Sequence, residues 1–368
     1  MHVTRLDLHH LRRFEAASLA PHPGLNLITG DNGTGKTSLL EALHLLAYGR
    51  SFRGRVRDGL IRAGSPALEL YVEWQDGAAQ TAPSLPPRTH RAGLRHAGGS
   101  WTARLDGRDV GHLGELCAAL AVVTFEPGSH ALVNGGSEPR RRLLDWGLFH
   151  VEPDFLGLWR RCARALKQRN QLLKGRAEPA ELEAWEHELA TTGEALTRAR
   201  ERYLEQLAPH LAQMAALLLP AGGEARLEFQ PGWRREELPL ADALLLARER
   251  DLALGHTSVG PHRADWQIRY TGLPGREGLS RGQAKLTALS LLLAQAECHA
   301  GLRGDWPVIL LDDLASELDR RHQAGVLAWL IASGAQVIVT GTEPPPGWAA
   351  LGTPTARFHV EQGRVVAG

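Results

Sequence analysis

The chain has 368 residues, 43% hydrophobic, 23% charged and 6% aromatic, a balance that excludes a disordered or fibrous protein and leaves room for two or three domains around a sizeable core. Its formal net charge of +1 excludes a global field drawing it onto nucleic acid, so any such surface must come from local basic clusters. Cys117, Cys162 and Cys298 lie far apart without CxxC spacing, residues 1–20 lack the apolar core of a signal peptide, and no apolar run nears the ~18 residues of a membrane span; the expectation is a cytoplasmic protein with neither disulfides nor zinc and no membrane partner.

Strand alternation opens the chain at Val3, Leu6 and Leu8 and returns at Leu25, Leu27 and Ile28, directly before a glycine-rich segment. From Lys36 to Ala47 the residues Leu39, Leu43 and Leu46 recur at helical spacing, so the local unit reads strand, glycine loop, helix. Further strands are predicted at 68–74 and 101–105. Between those two strands, residues 76–100, rich in Gly, Pro, Ala and Arg without apolar periodicity, read as an exposed and mobile hairpin loop carrying Arg88, Arg91 and Arg95. Over roughly 139–219, Leu, Ala, Glu and Arg at helical spacing predict a helical domain, with no heptad run long enough for an extended coiled coil. Strand character resumes at 226–229 and 266–270, a helix follows Gly282, strands are predicted at 308–311 and 337–340, and a hairpin near 358–366 closes the series.

Gly30, Asp31, Asn32, Gly33, Thr34, Gly35, Lys36 and Thr37 spell G-x-x-x-x-G-K-T between that first strand pair and that helix, with Ser38 next. Glycines at these positions let backbone N–H groups wrap phosphates, the helix N-terminus favours their charge, Lys36 reaches the β and γ phosphates, and the Thr37 hydroxyl ligates Mg²⁺. ATP and Mg²⁺ are the groups such a cradle takes, and a chance glycine-rich turn would lack this flanking context. The apolar run 308–311 ends in Asp312 and Asp313, where Asp312 would hold Mg²⁺ and Asp313 would orient or deprotonate the attacking water. Taken alone, that run is also compatible with a strand ending in two solvated acids. Leu279, Ser280, Arg281, Gly282 and Gln283 precede the apolar stretch 284–296, which puts Ser280 at a helix N-terminus able to meet an anion; a simple serine N-cap explains the same residue. Ser316 to Asp319 fits an ordinary helix cap with an acidic first turn.

Together with the phosphate loop and the acid pair, residues 279–283 resemble the signature of ABC-type ATPases. That resemblance implies that Ser280, with Gly282 and Gln283, meets the γ phosphate held by an opposite copy, so that ATP gates homodimerisation. Residues 316–319 resemble the loop that crosses the dimer interface in the same superfamily, which brings Asp319 to the nucleotide. The helical stretch between Lys36 and Ser280 is similar to the split heads of the SMC and Rad50 group rather than to a transporter ATPase. At 39–47 with 49–53, at 138–145, at 260–266 and at 310–319 the chain resembles the RecF family, over essentially its full length. The resemblance implies an α/β fold, an ABC-type P-loop ATPase head formed by residues 1–126 and 241–368, with a mainly helical second domain inserted over 127–240 and short or no coiled coil. It also implies a weak ATPase with Arg12 near the nucleotide, acting on double-stranded, gapped or junction DNA with RecR and RecO and helping RecA to load, in replication, repair, recombination and the SOS response. The chain departs from the pattern at Ala264, where the family usually carries an acid. Glu126 is the nearest candidate for a Q-loop residue, and Thr340, Gly341 and Thr342 stand where transporters carry a switch histidine.

Arginines cluster at Arg50, Arg53, Arg55, Arg57 and Arg62, at Arg140, Arg141 and Arg142, and at Arg160, Arg161, Arg164, Lys167 and Arg169. Such clusters neutralise DNA phosphates with salt-sensitive affinity, and solvated helix faces paired with nearby acids are the alternative. No aromatic interleaving suggests base stacking, so duplex backbone contacts are expected. Two rival readings stand beside DNA repair: an ATP-hydrolysing subunit of a transporter, and an ATP-gated structural clamp with negligible turnover.

Overall fold

The computed structural model describes residues 1–54, 59–77, 88–175, 178–275, 278–348, 352 and 354–368. They fall into two compact units, Met1–Ser129 with Leu289–Gly368, and His130–Ala288.

The first unit opens with β1 (His2–His9), β2 (Ala16–Leu19), β3 (Leu25–Thr29), α1 (Lys36–Tyr48), β4 (Ala67–Gln75), β5 (Thr89–Ala97), β6 (Ser100–Leu105), β7 (Arg108–Asp109), α2 (Leu113–Ala119) and β8 (Val122–Phe125). The second unit holds α3 (Ala131–Asn134), α4 (Ser137–Val151), α5 (Phe155–Leu172), α6 (Pro179–Leu218), β9 (Ala225–Gln230), α7 (Leu240–Leu254), β10 (Asp265–Tyr270) and the start of α8 (Arg281–Arg303). The chain then completes the first unit with β11 (Val308–Leu311), α9 (Leu314–Glu317), α10 (Arg320–Ser333), β12 (Val337–Gly341), β13 (Thr355–Glu361) and β14 (Arg364–Ala367).

Among the described residues, two sheets build the first unit. One is antiparallel, in the order β2-β1-β4-β5-β6-β7; the other runs β14-β13-β3-β12-β11-β8 and is parallel apart from the β13–β14 hairpin. The strands β8, β11 and β12 are buried along their whole length, as expected of parallel strands covered on both faces. Leu39, Leu40, Leu43, Leu45 and Leu46 of α1 share one apolar cluster with Leu6, Leu8, Leu70 and Val72 of the antiparallel sheet and with Ile28, Val308, Leu310 and Ile338 of the parallel one. A helix apolar on every side is stable only when enclosed, and both sheets enclose this one. Because β3, β11 and β12 are parallel neighbours, their carboxyl ends open on one edge of the sheet, where ligands of α/β proteins bind.

The second unit is organised by the helices α5 and α6. The ion pairs Arg161–Glu188 and Arg169–Glu186 join residues that advance along one helix and retreat along the other, the signature of an antiparallel hairpin. Leu182, Leu189, Leu196 and Tyr203 of α6 are buried at seven-residue spacing, a short seam rather than an extended coiled coil. Fully buried Arg169 also reaches Asp251 of α7 at 2.7 Å, tying a third helix to the hairpin.

Two sequence expectations need correction. The units divide at 129/130 and 288/289 rather than at 126/127 and 240/241. The later boundary moves because β10 pairs along its length with β9 and the Trp266 indole donates to Arg140 O, which anchors that segment to the inserted unit. The expected loop over 76–100 fails as well: residues 89–97 form β5, paired on both sides with β4 and β6. Its inward positions are only Ala92, Leu94 and His96, interrupted by Arg91 and Arg95 on the exposed side, too weak an alternation to stand out. Residues 78–87 of that expectation lie outside the described residues.

Candidate nucleotide-binding site

The phosphate loop takes its shape from positions that exclude side chains. Gly30 has φ 147°, and a Cβ there would lie 2.3 Å from Val360 O; Gly35 has φ 121°, and a Cβ there would lie 2.6 Å from the Phe14 ring. Only glycine fits either place. The N–H and hydroxyl of Thr34 both donate to Asp31 O, at 3.3 and 2.9 Å, and close the turn. No side chain caps α1 at Gly35; Ser38 N donates to Gly35 O at 2.8 Å, and the N–H groups of Lys36 and Thr37 ahead of it face the start of the helix, where an anion is favoured.

Lys36 Nζ donates to the carbonyls of Gly30 and Asp31, at 2.6 and 2.9 Å. Burial pulls its pKa down, while Asp313, Asp312 and Asp31 pull the other way. Thr37 Oγ1 donates to Asp312 Oδ1 at 3.0 Å, and Thr340 Oγ1 donates to the same oxygen at 2.7 Å. Thr340 in turn accepts the N–H of Asp313 at 2.9 Å. One threonine of β12 thus fixes both acids, in the place where transporters carry a switch histidine. Asp312 is 3% exposed, and burial raises its carboxyl pKa against the two hydroxyl donors. Asp313 is half-buried with φ 52° and ψ 42°, the left-handed region that Asp tolerates better than most residues.

A carboxylate and a hydroxyl meeting on one edge are hard oxygen donors of the kind that Mg²⁺ takes, with phosphate oxygens completing its shell. Among the described residues no group of three or more His, Cys, Asp or Glu gathers to hold a metal without such help.

A hollow of about 350 Å³ is lined by Asn32, Gly33, Gly35, Lys36, Thr37 and Ser38, by Asp312, Asp313 and Thr340, and by Pro127, Arg12, Arg13 and Arg53. Gly30 and Thr34 shape the loop without lining the hollow. Arg12, at φ 54°, forks onto Glu41 through Nε (3.0 Å) and Nη2 (2.7 Å). Glu41 is fully buried on α1 and also accepts from Ser51 Oγ at 2.5 Å, with Arg53 Nη1 3.8 Å away. Arg13 donates to Gly33 O at 2.7 Å. Sequence reasoning missed Arg13 and Glu41, and it placed Arg53 on a DNA surface, whereas Arg53 borders the nucleotide hollow. Glu126 ends up beside that rim: its own carboxylate accepts from Gly128 N at 2.5 Å, and Pro127 is the residue that lines the hollow.

In the second unit Ser280 is exposed and forms a reciprocal capping box with Gln283. Ser280 Oγ accepts from Gln283 N at 3.2 Å, and Gln283 Oε1 accepts from Ser280 N at 2.9 Å. Arg281 and Gly282, in the first turn, are exposed too. Asp319 caps α10 by accepting from His322 N at 2.9 Å, which with the His322 ring holds its carboxyl below the usual range. It does not line the hollow of its own chain.

The arginine clusters divide. Arg140 and Arg169 are buried and committed to internal partners, Arg140 to Asp265 and three backbone carbonyls and Arg169 to Glu186 and Asp251, so both leave the list of DNA contacts. Arg141 donates to Ser137 Oγ (2.6 Å) and Ala264 O (2.7 Å), Arg142 pairs with Glu138 on the surface, and Arg50 is exposed. Arg55 and Arg57 lie outside the described residues.

A family model described as RecF/RecN/SMC N terminal domain matches residues 2–346. Among curated proteins, the chain is 65% identical to the DNA replication and repair protein RecF of Stenotrophomonas maltophilia (strain R551-3), over 100% of both chains. It is 38% identical to the protein of the same description from Shewanella baltica (strain OS223), over 99% of each. Among solved structures, the recombination mediator protein RecF with ATP, of the RecFOR pathway, matches with a TM-score of 0.86 at 25% identity, covering 100% of this chain and 97% of that one. An SMC head bound to the C-terminal winged-helix domain of ScpA matches with a TM-score of 0.61 at 17% identity, over 100% and 98%, which shows a shared fold.

Proposed function

The chain belongs to the RecF family, and on that footing we propose that it is an ATP-dependent, DNA-binding recombinational repair protein in which two copies close around two nucleotides. The similar protein solved with ATP is described as a recombination mediator of the RecFOR pathway. Carried to this chain, that description makes RecO and RecR its partners; the family resemblance supports gapped or double-stranded DNA as its substrate and RecA loading as the outcome. The named relatives are repair proteins and SMC heads, which gives the transporter alternative no support.

One observation carries the ATP reading: Thr37, Asp312, Thr340 and Asp313 form a single hydrogen-bonded line beside the phosphate loop. Loop N–H groups receive the phosphates, and Lys36 Nζ exchanges its two carbonyl partners for β and γ oxygens. Mg²⁺, held by Thr37 and Asp312, supplies charge neutralisation at those oxygens when bound. Asp313, oriented through its N–H by Thr340, accepts the proton of the attacking water. Ser280 and the first-turn N–H groups of α8 in a second copy seal the γ phosphate, so closure waits on ATP and slow hydrolysis reopens the pair. Arg50, Arg141 and Arg142 are the described arginines that would meet duplex phosphates in the closed pair; Arg55 and Arg57, expected with them from the sequence, lie outside the described residues.

Duplex affinity measured with and without ATP, across a salt series, tests this reading. ATP is expected to tighten binding, and the affinity to fall linearly on a log–log salt plot, by one counterion for each phosphate neutralised. Binding indifferent to ATP would contradict the gating, and binding indifferent to salt would contradict the arginine surface.

A further inference from the structure

Arg140 is 2% exposed and spends its whole donor fork inside the second unit. Its Nε and Nη2 grip both oxygens of Asp265, at 2.6 and 2.9 Å. Its Nη1 reaches the carbonyls of Leu132 (3.3 Å), Val133 (3.4 Å) and Gly135 (2.9 Å), which end α3. A four-residue helix cannot hold itself, so this cap keeps α3 in place. On its other side, Val133 of α3 packs with Leu279, Ala284 and Ala288, which bracket Ser280. Asp265 opens β10, whose Tyr270 donates its hydroxyl to Thr287 Oγ1 of α8 at 3.3 Å. Trp266 locks the joint, donating its backbone N–H to Asp265 and its indole N–H to Arg140 O, both at 2.8 Å. These links close a frame: signature segment, α3, Arg140, Asp265, β10, and back to the first turns of α8.

A buried ion pair is a poor source of net stability, since apolar residues of equal volume do as well. Its geometric effect is different, because a bidentate fork fixes both distance and orientation. We propose that Arg140 and Asp265 are positioning residues for Ser280: the pair sets where residues 279–283 stand, and so governs closure onto a second copy without touching nucleotide or DNA. This rests on the reading of Ser280 as acting across the dimer.

The test mixes two full-length variants. Lys36→Ala loses the phosphate-gripping lysine and keeps its serine; Ser280→Arg blocks the serine and keeps its loop. A mixed dimer then holds one complete site, with the serine coming from the Lys36→Ala copy. Asp265→Asn is added to one copy at a time and phosphate release is measured. Placed in the serine-donating copy, it is expected to lower release on the order of tenfold. Placed in the loop-donating copy, it should leave release within about twofold, and Asp265→Glu in the serine-donating copy should restore part of the loss. Arg140→Lys, which keeps the charge and loses the fork, is run in parallel, and the result is read on whichever variant melts like its parent. Equal losses in both placements, or none in either, overturn the positioning role. If the parent mixture releases no more phosphate than its components alone, the reading across the dimer fails and takes this proposal with it.

Discussion

Asp312 sets burial against charge. Burial is the largest influence on its carboxyl and raises it above the ordinary 3.8, with Thr340 and Thr37 opposing. A carboxyl raised on folding stabilises the fold while protonated; that contribution is complete below the unfolded value and is lost as pH rises through the folded one. At neutral pH the nucleotide-free protein therefore bears the cost of an ionised buried group. Asp312→Asn is expected to melt above the parent near pH ~7, with the gap closing as pH falls towards ~4; a variant melting below the parent at neutral pH would show that the carboxylate is already compensated. The next residue separates chemistry from backbone geometry. Asn tolerates the left-handed region nearly as well as Asp, whereas Ala is strained there by about 1 kcal/mol. Asp313→Asn should cut phosphate release by roughly 10²–10⁴ with unchanged stability, and Asp313→Ala should add that strain in denaturant unfolding; hydrolysis surviving in the Asn variant would remove Asp313 from the reaction. The loop from Gly30 to Thr37 was legible because phosphates constrain both residue type and spacing. Arg13 and the bonds from Thr340 to the acid pair were not, since one acts through a single bond to Gly33 O and the other through the pairing of β12 beside β11, and neither is a local pattern.

At the scale of elements, α8 begins with a residue that has two possible tasks. Ser280 caps its helix, and capping alone would account for a serine there. Aspartate caps as well as serine but brings a negative charge to the place where a γ phosphate is proposed. Ser280→Asp is therefore expected to melt within about 0.5 kcal/mol of the parent and to lose ATP-dependent phosphate release. Normal release by that variant would reduce Ser280 to a cap. The same helix shows how elements become legible: its strongly apolar run announces burial, as do the runs of β11 and β12. β8 has an equally apolar core but only four residues, between segments without a clear stop, and α7 exposes Leu245, Leu246 and Leu252, which blurs its periodicity. Both escaped the sequence reading, as did β5, whose order comes from pairing with two neighbours.

For the whole molecule, the head was readable from motifs at both ends of the chain, and the inserted unit from its change of texture. Its far boundary was not readable, because the partner of β10 is β9, inside the insertion, and strand pairing over such a separation leaves no local mark. Charge behaves in the same way. The thirteen clustered basic positions from Arg50 to Arg169 look alike in one dimension, yet Arg140 and Arg169 are interior braces, Arg53 borders the nucleotide, and Arg142 faces solvent.

The most direct measurement is molar mass in solution, by light scattering or sedimentation, for the parent chain and for Ser280→Arg, each with and without ATP and Mg²⁺. The parent should be monomeric alone and dimeric with ATP and Mg²⁺, and Ser280→Arg should remain monomeric in both. A parent that stays monomeric with nucleotide, or a Ser280→Arg variant that dimerises as readily, contradicts closure around a shared ATP.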